Sequence, residues 1–289
     1  MIDPFRKFER GRISRVDGDE FLGSVVALGA LGIVTGIELS VRPSFRMRQR
    51  VLENIPWDRA LADFSALVSS AYSVSLFTDY AGDYISQAWL KALDSEPALA
   101  EVFGATAATR SRHPLPDMSA ENCTPQFDEP GPWLDRLPHF RHEFTPSNGE
   151  ELQSEFILPL EYAPAALQAV RSLADKLAPL LFVSEIRTSA ADEFWLSPFY
   201  RQQSVALHFT WKPLQAEVEA VLPELEELLR PFGARPHWGK LFMPPGHDWE
   251  ALYPKFADFR ALAAEHDPDG KFRNGLLDSI LGAPAASLR

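Results

Sequence analysis

Glu185 and Arg187 sit one residue apart in the run LFVSEIRTSA (181–190), which begins as apolar and β-branched as a buried strand. Side chains of a strand alternate between faces with a period of two, so both charges share one wall with Val183. A second run, SVALHFTWK (204–212), repeats the design: Val205, Leu207, Phe209 and Trp211 form an apolar face, and Ala206, His208, Thr210 and Lys212 form the other. If the two runs are neighbours in one sheet, with the intervening SAADEFWLSPFYRQQ as a crossover, Glu185, Arg187, His208 and Thr210 line one cavity. The competing reading is a solvated sheet face carrying an ordinary Glu/Arg pair.

A third segment, RPFGARPHWGKLFMPP (230–245), is punctuated by Gly and Pro and delivers His237, Trp238 and Lys240 within four residues. Imidazole, indole and amine side chains so close together suit recognition of a flat polar ring or a sugar-like ligand. Alone, the same loop also reads as structural, with His237 bonded to backbone and Trp238 in the core. In ELQSE (151–155), Glu151, Gln153 and Glu155 share one face; Gln153 is within reach of the cavity, but a solvated face is the preferred reading.

The elements that must hold these residues alternate between helix and strand. Apolar residues recur at helical spacing over 57–70, 163–178, 214–230 and 248–266. Strand patterns cover 33–45, 72–79, 85–92, 139–145, 152–160, 181–188 and 204–212. Helices lie between groups of strands rather than after each one, which predicts an α+β fold with a large, mostly antiparallel sheet flanked by helices. The Pro- and Ser-rich segment 104–138 reads as a long excursion across the surface, and loops of that length are usually functional or disordered.

Composition limits the function classes. The chain has 289 residues, 46% of them hydrophobic, enough for one large domain or two modest ones. Acidic residues outnumber Lys and Arg by 40 to 28 and no basic tract interrupts them, which argues against nucleic acid as a partner. The single cysteine, Cys123, excludes an intramolecular disulfide and a cysteine-rich metal site, and suits a reducing, cytoplasmic setting. No histidine spacing suggests a metal site; His139 and His142, if on a strand, would face opposite sides. The opening residues lack the apolar core of a signal peptide, and FLGSVVALGALGIVTGIEL reads as a buried helix, a glycine turn and a strand rather than a membrane span.

Read together and in order, GALGIVT (29–35), AYSVSLFTDY, ENCTPQ, PHFRHEFTPSNGEELQSEF, SEIRTSAADEFWLSP, SVALHFTWKP, PFGARPHWGKLF and FRALAAEHDPDGKFRN resemble the bacterial alditol (xylitol) oxidases. These are vanillyl-alcohol-oxidase type flavoproteins related to the aldonolactone oxidases such as D-arabinono-1,4-lactone oxidase. The resemblance runs from about residue 17 to about 280, with SEIRT, LHFTWKP and PHWGK its most specific motifs. It implies that residues 1–44 are the C-terminal remnant of an FAD-binding domain, 45–236 a substrate-binding cap domain, and 237–289 a return segment packing on the FAD domain. It further implies that Glu185, Arg187, His208 and Thr210 bind substrate hydroxyls, that Glu185, Arg187 and Lys240 act in catalysis, and that Val34, His237 and Lys240 touch FAD.

The implied chemistry is oxidation of a primary carbinol of a xylitol- or sorbitol-type polyol, with hydride transfer to flavin N5 and reoxidation by dioxygen to give hydrogen peroxide. Arg187 does not readily lose its proton and is cast as an electrostatic stabiliser; Lys240, Glu185 and His208 all remain candidates for the base. The chain departs from the family in one respect. It enters the pattern near the end of the flavin domain, without a glycine-rich phosphate loop before GALGIVT and with no histidine before His113. The missing half is therefore expected on a partner polypeptide carrying the N-terminal FAD domain, or lost to a wrongly called start or truncation, or absent from a non-catalytic polyol-binding remnant; an aldonolactone oxidase is the alternative activity. Uncovered apolar faces over residues 20–44 and after about 245 are expected as well.

Overall fold

The computed structural model describes residues 17–97, 103–116, 118–144 and 151–282, together with the backbone of a short hairpin that pairs Arg6–Glu9 with Arg12–Arg15. The chain divides into two compact units, one made of Met1–Arg42, Ala190–Gln202 and Phe242–Arg289, the other of Pro43–Ser189 and Gln203–Leu241.

The second unit is built on one antiparallel sheet. Its long strands are β1 (Arg46–Pro56), β2 (Ser73–Thr78), β3 (Tyr84–Leu93), β4 (Leu152–Pro159), β5 (Leu181–Ser189) and β6 (Ser204–Trp211). Their order across the sheet is β4, β6, β5, β2, β3, β1, with the short pairs Arg235–Pro236 and Thr106–Ala107 at the two edges. This is the predicted α+β class with a mostly antiparallel sheet.

One face is dry because alternate residues of the central strands are apolar. Phe209 stacks on Tyr80 and Trp211, and Tyr80 stacks on Trp57 from the helix Trp57–Ala62. Polar atoms trapped there pair with one another: Tyr80 donates to Ser184 Oγ at 2.9 Å, Ser184 Oγ donates to the His208 carbonyl at 2.6 Å, and Trp211 Nε1 donates to Ser154 Oγ at 3.0 Å, whereas the buried Trp57 Nε1 has no hydrogen-bond partner.

The opposite face holds Gln49, Val51 and Glu53 of β1, Gln87, Trp89 and Lys91 of β3, and Phe77 of β2. Residues 103–116 and 118–144 cover it, apart from the short pairs Thr106–Ala107 and Gly131–Pro132, which extend the sheet beside β1. Cys123 is buried with Val51, Phe77 and Trp89, and Ala108, Ala120 and Phe140 pack against them. Polar side chains of the sheet bond to this cover: Gln87 Nε2 to the His113 carbonyl (2.9 Å), Gln49 Nε2 to the Thr124 hydroxyl (3.1 Å) and Lys91 Nζ to the Leu137 carbonyl (2.5 Å). The segment expected to run over the surface is thus a lid packed on the sheet.

Four expectations need correction. Residues 33–45 do not form a strand; apart from an isolated bridge at Leu39 they run without regular structure, because β-branched composition alone does not hold a strand without a pairing neighbour. Residues 139–144 are a turn held by one Cys123–Phe140 bridge, so His139 and His142 do not alternate on a strand, and residue 145 lies outside the described residues. Three predicted helices are interrupted: 57–70 at Asp63, 163–178 at Ser172–Leu173, and 248–266 around Pro254, which removes a backbone donor. The eleven residues of β1 are missed by pattern reading, because its Arg, Gln and Glu residues hide a strand covered on both sides.

In the first unit, the helices Gly18–Ser24 and Phe256–His266 meet at Gly23. A Cβ at Gly23 would lie 2.7 Å from the Trp195 ring and 2.8 Å from Leu262, so only glycine allows this approach. Among the described residues no helix is long and apolar enough to cross a membrane.

Candidate functional site

The register of three strands builds the site. His208 on β6 lies opposite Glu155 on β4 and opposite Glu185 on β5, and Glu185 in turn lies opposite Phe77 on β2. An imidazole therefore stands between two carboxylates on one face. Arg187, two residues beyond Glu185, bridges them, with one guanidinium nitrogen 3.3 Å from Glu155 Oε1 and another 3.7 Å from Glu185 Oε2.

Lys240 reaches the same row from the loop after Arg235–Pro236. That loop is pinned to β4 by backbone bonds from His237 N–H to the Glu155 carbonyl (2.9 Å) and from Leu241 N–H to the Gln153 carbonyl (2.8 Å). The Lys240 ammonium bonds to Glu155 Oε2 and lies 3.2 Å from His208 Nδ1. An ammonium only donates, so His208 Nδ1 accepts and the neutral ring carries its proton on Nε2, 3.4 Å from Thr210 Oγ1. Gly239 N–H donates to His237 Nδ1 at 3.1 Å, and the His237 ring is otherwise exposed.

Charge and burial set the protonation states. His208 is pushed down to about 4 by burial, with the Lys240 charge adding to the effect, so it is neutral at pH 7. Burial would raise Glu185, but the hydrogen bond of His139, the charge of Arg187 and a hydrogen bond from Ser75 outweigh it and hold the carboxyl well below its ordinary range. Glu155 is likewise held low, with burial overcome by Lys240 and Arg187. Arg187 leaves 42% of its side chain open to solvent, while Glu155 and Glu185 keep only 6% and 12%. The wall thus presents two fixed carboxylates, two fixed cations, a neutral imidazole and a hydroxyl, with little net charge. Such a set matches a neutral ligand with many hydroxyls, each able to donate to a carboxylate and accept from a cation.

The structure brings together Glu185, Arg187, His208, Thr210 and Lys240, with His237 on the loop that carries Lys240. Val34 belongs to the other compact unit and is 55% exposed. Three participants were missed. Glu155, expected on a solvated face, is 5% exposed and central to the charge balance; alternation placed it with Gln153, but only the strand register sets it opposite His208. His139 arrives from the lid, its Nε2 3.0 Å from Glu185 Oε1. Lys91, 2% exposed, reaches His139 Nδ1 at 2.8 Å. No local pattern signals either contact. Among the described residues no group of three His, Cys, Asp or Glu side chains is placed to hold a metal ion. The Cys123 thiol is buried and pushed up to about 11 by that burial, which leaves it a poor nucleophile.

Residues 148–280 match the family model described as D-arabinono-1,4-lactone oxidase. Over 264 residues the chain is 49% identical to an alditol oxidase of Streptomyces sp. (strain IKD472 / FERM P-14339), a match covering 90% of this chain and 62% of that one. The chain is similar to these alditol and aldonolactone oxidases. It is also 23% identical over 285 residues to an L-gulono-1,4-lactone dehydrogenase of Mycobacterium tuberculosis (strain ATCC 25618 / H37Rv), covering 93% of this chain and 65% of that one. It therefore spans less than two thirds of the length of both curated relatives.

Two solved structures share the fold. A xylooligosaccharide oxidase from Myceliophthora thermophila C1 superposes with a TM-score of 0.67 at 11% identity, covering 98% of this chain and 66% of that one. The VAO-type flavoprotein MtVAO615 of the same organism gives 0.61 at 13% identity, covering 93% and 55%.

Proposed function

We propose that this chain carries the substrate wall of an FAD-dependent alditol oxidase acting on the primary carbinol of a xylitol- or sorbitol-type polyol. The observation that carries the reading is the single row Glu155–His208–Glu185, closed by Arg187, Lys240 and Thr210. The similarity to the Streptomyces alditol oxidase over nine tenths of the chain supports it.

The residues present fit a flavin ring. Lys240 is a cation fixed by Glu155, suited to the electron-rich edge of such a ring, and His237 exposes surface that a flat ring system can contact. FAD, when bound, would accept hydride from the carbinol carbon and pass electrons to dioxygen, which leaves as hydrogen peroxide.

The chain's own residues orient the polyol and manage its proton. Glu185, ionised and lined up by His139, accepts the hydrogen bond of the reacting hydroxyl and is the base of this reading. Arg187 keeps its proton and stabilises the alkoxide charge that develops as the hydroxyl proton leaves. Thr210 and Lys240 donate to further hydroxyls, and neutral His208 holds Lys240 and Thr210 in line.

Titration of the purified chain with xylitol, followed by calorimetry, tests the wall without flavin. Saturable binding that falls at least about tenfold in Arg187→Ala, the loss of one charge-assisted hydrogen bond, is the expected result. No heat of binding at millimolar xylitol would remove the reading. Retention of a visible flavin band after incubation with FAD and removal of free cofactor tests the cofactor half.

A second reading is favoured by the family match over 148–280, which names a lactone oxidase. Parallel titration with D-arabinono-1,4-lactone separates the two; tighter binding of the lactone would reverse their order.

A further inference from the structure

Beside the wall, on the same face of the sheet, lies a chain of titratable groups that substrate recognition does not require. Glu185 Oε1 is 3.0 Å from His139 Nε2, and His139 Nδ1 is 2.8 Å from Lys91 Nζ. The three come from three separate parts of the unit: β5, the lid and β3. Lys91 ends the chain under the lid, where its Nζ also donates to the Leu137 carbonyl at 2.5 Å. A lysine 2% exposed is an unusual tenant of a sheet interior, and no carboxylate pairs with it directly in a salt bridge among the described residues. The edges of Phe77 and Trp89 pack on the His139 ring, at 5.4 and 5.2 Å between centroids, and fix its plane along the line from Glu185 to Lys91.

We propose that Glu185, His139 and Lys91 form a proton relay that draws the hydroxyl proton of a bound polyol along one face of the sheet, from its open part to the part beneath the lid. This rests on the reading of Glu185 as the base. His139 and Lys91 are positioning residues that touch no substrate. The balance is complete within the three side chains. In the receiving state Lys91 is a neutral amine whose lone pair accepts from His139 Nδ1–H, leaving His139 Nε2 bare toward Glu185. The polyol hydroxyl gives its proton to Glu185; Glu185 passes a proton to Nε2; Nδ1–H passes its proton to Lys91. The end state is an ammonium at Lys91 donating to Nδ1, and Nε2–H donating to an ionised Glu185. One O–H bond is broken in the substrate and one N–H bond is gained at Lys91.

The electrostatics of the site support both end states. Lys91 is pushed down to about 7 by burial, opposed by the Glu185 charge and assisted by that of Arg187, so its two forms are close in energy near neutrality. The ionisable groups that face it are Glu185 and Arg187 on β5 and His139 from the lid; its neighbours across the sheet, Gln49 on β1 and Ser73 on β2, carry no charge. Burial holds His139 below the ordinary histidine range, against its bond to Glu185, so the ring stays neutral and changes tautomer rather than charge.

The test is a long-range ¹H–¹⁵N spectrum of the His139 ring in the full 289-residue chain, assigned with His139→Gln and followed from about pH 6 to about pH 9, across the range where a lysine so depressed would titrate. The relay requires Nε2 to move from the shift of a protonated nitrogen at low pH towards that of a bare one at high pH, with Nδ1 moving oppositely. Lys91→Met abolishes the switch if the ammonium drives it. His139 nitrogens that keep one tautomer across the range in the unmodified chain would overturn the relay, whatever the variants do. Adding xylitol separates the relay from the substrate reading. A switch whose midpoint moves with xylitol supports both, and a switch indifferent to xylitol keeps the relay and removes the polyol from it.

Discussion

Glu155 holds the charge balance of the wall, since it alone accepts from both Lys240 and Arg187 while lying almost wholly out of water. Replacing it with leucine strands a buried ammonium. Glu155→Leu should lose about 3–5 kcal/mol in a urea unfolding curve, whereas Glu155→Gln, which keeps the acceptor oxygen, should lose less. His208 gives a pH signature. Its folded affinity for protons, about 4, lies below the ordinary histidine value of 6.5, so between these values the unfolded chain takes up a proton that the folded chain refuses. Stability from this group is complete above about pH 6.5 and drains away as pH falls towards 4; His208→Asn should flatten that part of a melting-temperature profile. Lys91 acts higher on the scale and in the same direction. The unfolded lysine holds its proton up to its ordinary value of 10.5 and the folded one releases it near 7, so stability rises with pH between these values, and Lys91→Met should remove the rise.

Of the elements, the lid matters most, because it covers part of the sheet face that holds Glu185 and carries His139. Thr124 is its main anchor. Its hydroxyl donates to the Pro138 carbonyl at 2.7 Å and accepts from Gln49 Nε2 at 3.1 Å, next to His139 in the chain's return. Thr124→Val keeps the shape and leaves buried polar atoms unpaired. It should lower stability by about 1–3 kcal/mol and weaken xylitol binding together, as fluorescence-detected unfolding and calorimetry would show. The alternation of Glu185, Arg187, His208 and Thr210 was legible because a strand declares its faces every second residue. The lid was not, because Thr124, Leu137 and His139 meet the sheet through contacts 46 to 75 residues apart that follow no period. Strand β1 was hidden for a related reason: its polar residues are bonded to that lid, so burial carries no hydrophobic mark in the chain.

At the scale of the molecule, the exposed aliphatic run of the first unit is the clearest liability. Ile33, Val34, Ile37, Leu39 and Val41 are 55–94% exposed within nine residues. Such a stripe favours self-association despite a net charge of −12; in sizing chromatography the chain should elute larger than 32.3 kDa, and Ile37→Glu with Val41→Lys should return it towards that mass.

The path of the chain between β5 and β6 has a separate consequence. Ser189 and Ser204 already pair across the sheet, yet residues 190–202 fold into the other unit instead of turning back directly. The sheet is therefore open to surgery at one seam. Joining Ser189 to Ser204 through an Asn-Gly turn, in a chain running from residue 43 to 241, would keep Glu155, Glu185, Arg187, His208 and Lys240 in register while dispensing with everything outside it. By its wiring, the wall proposed to hold a polyol is a detachable piece, and the shortened chain would show by calorimetry whether it binds one without the rest.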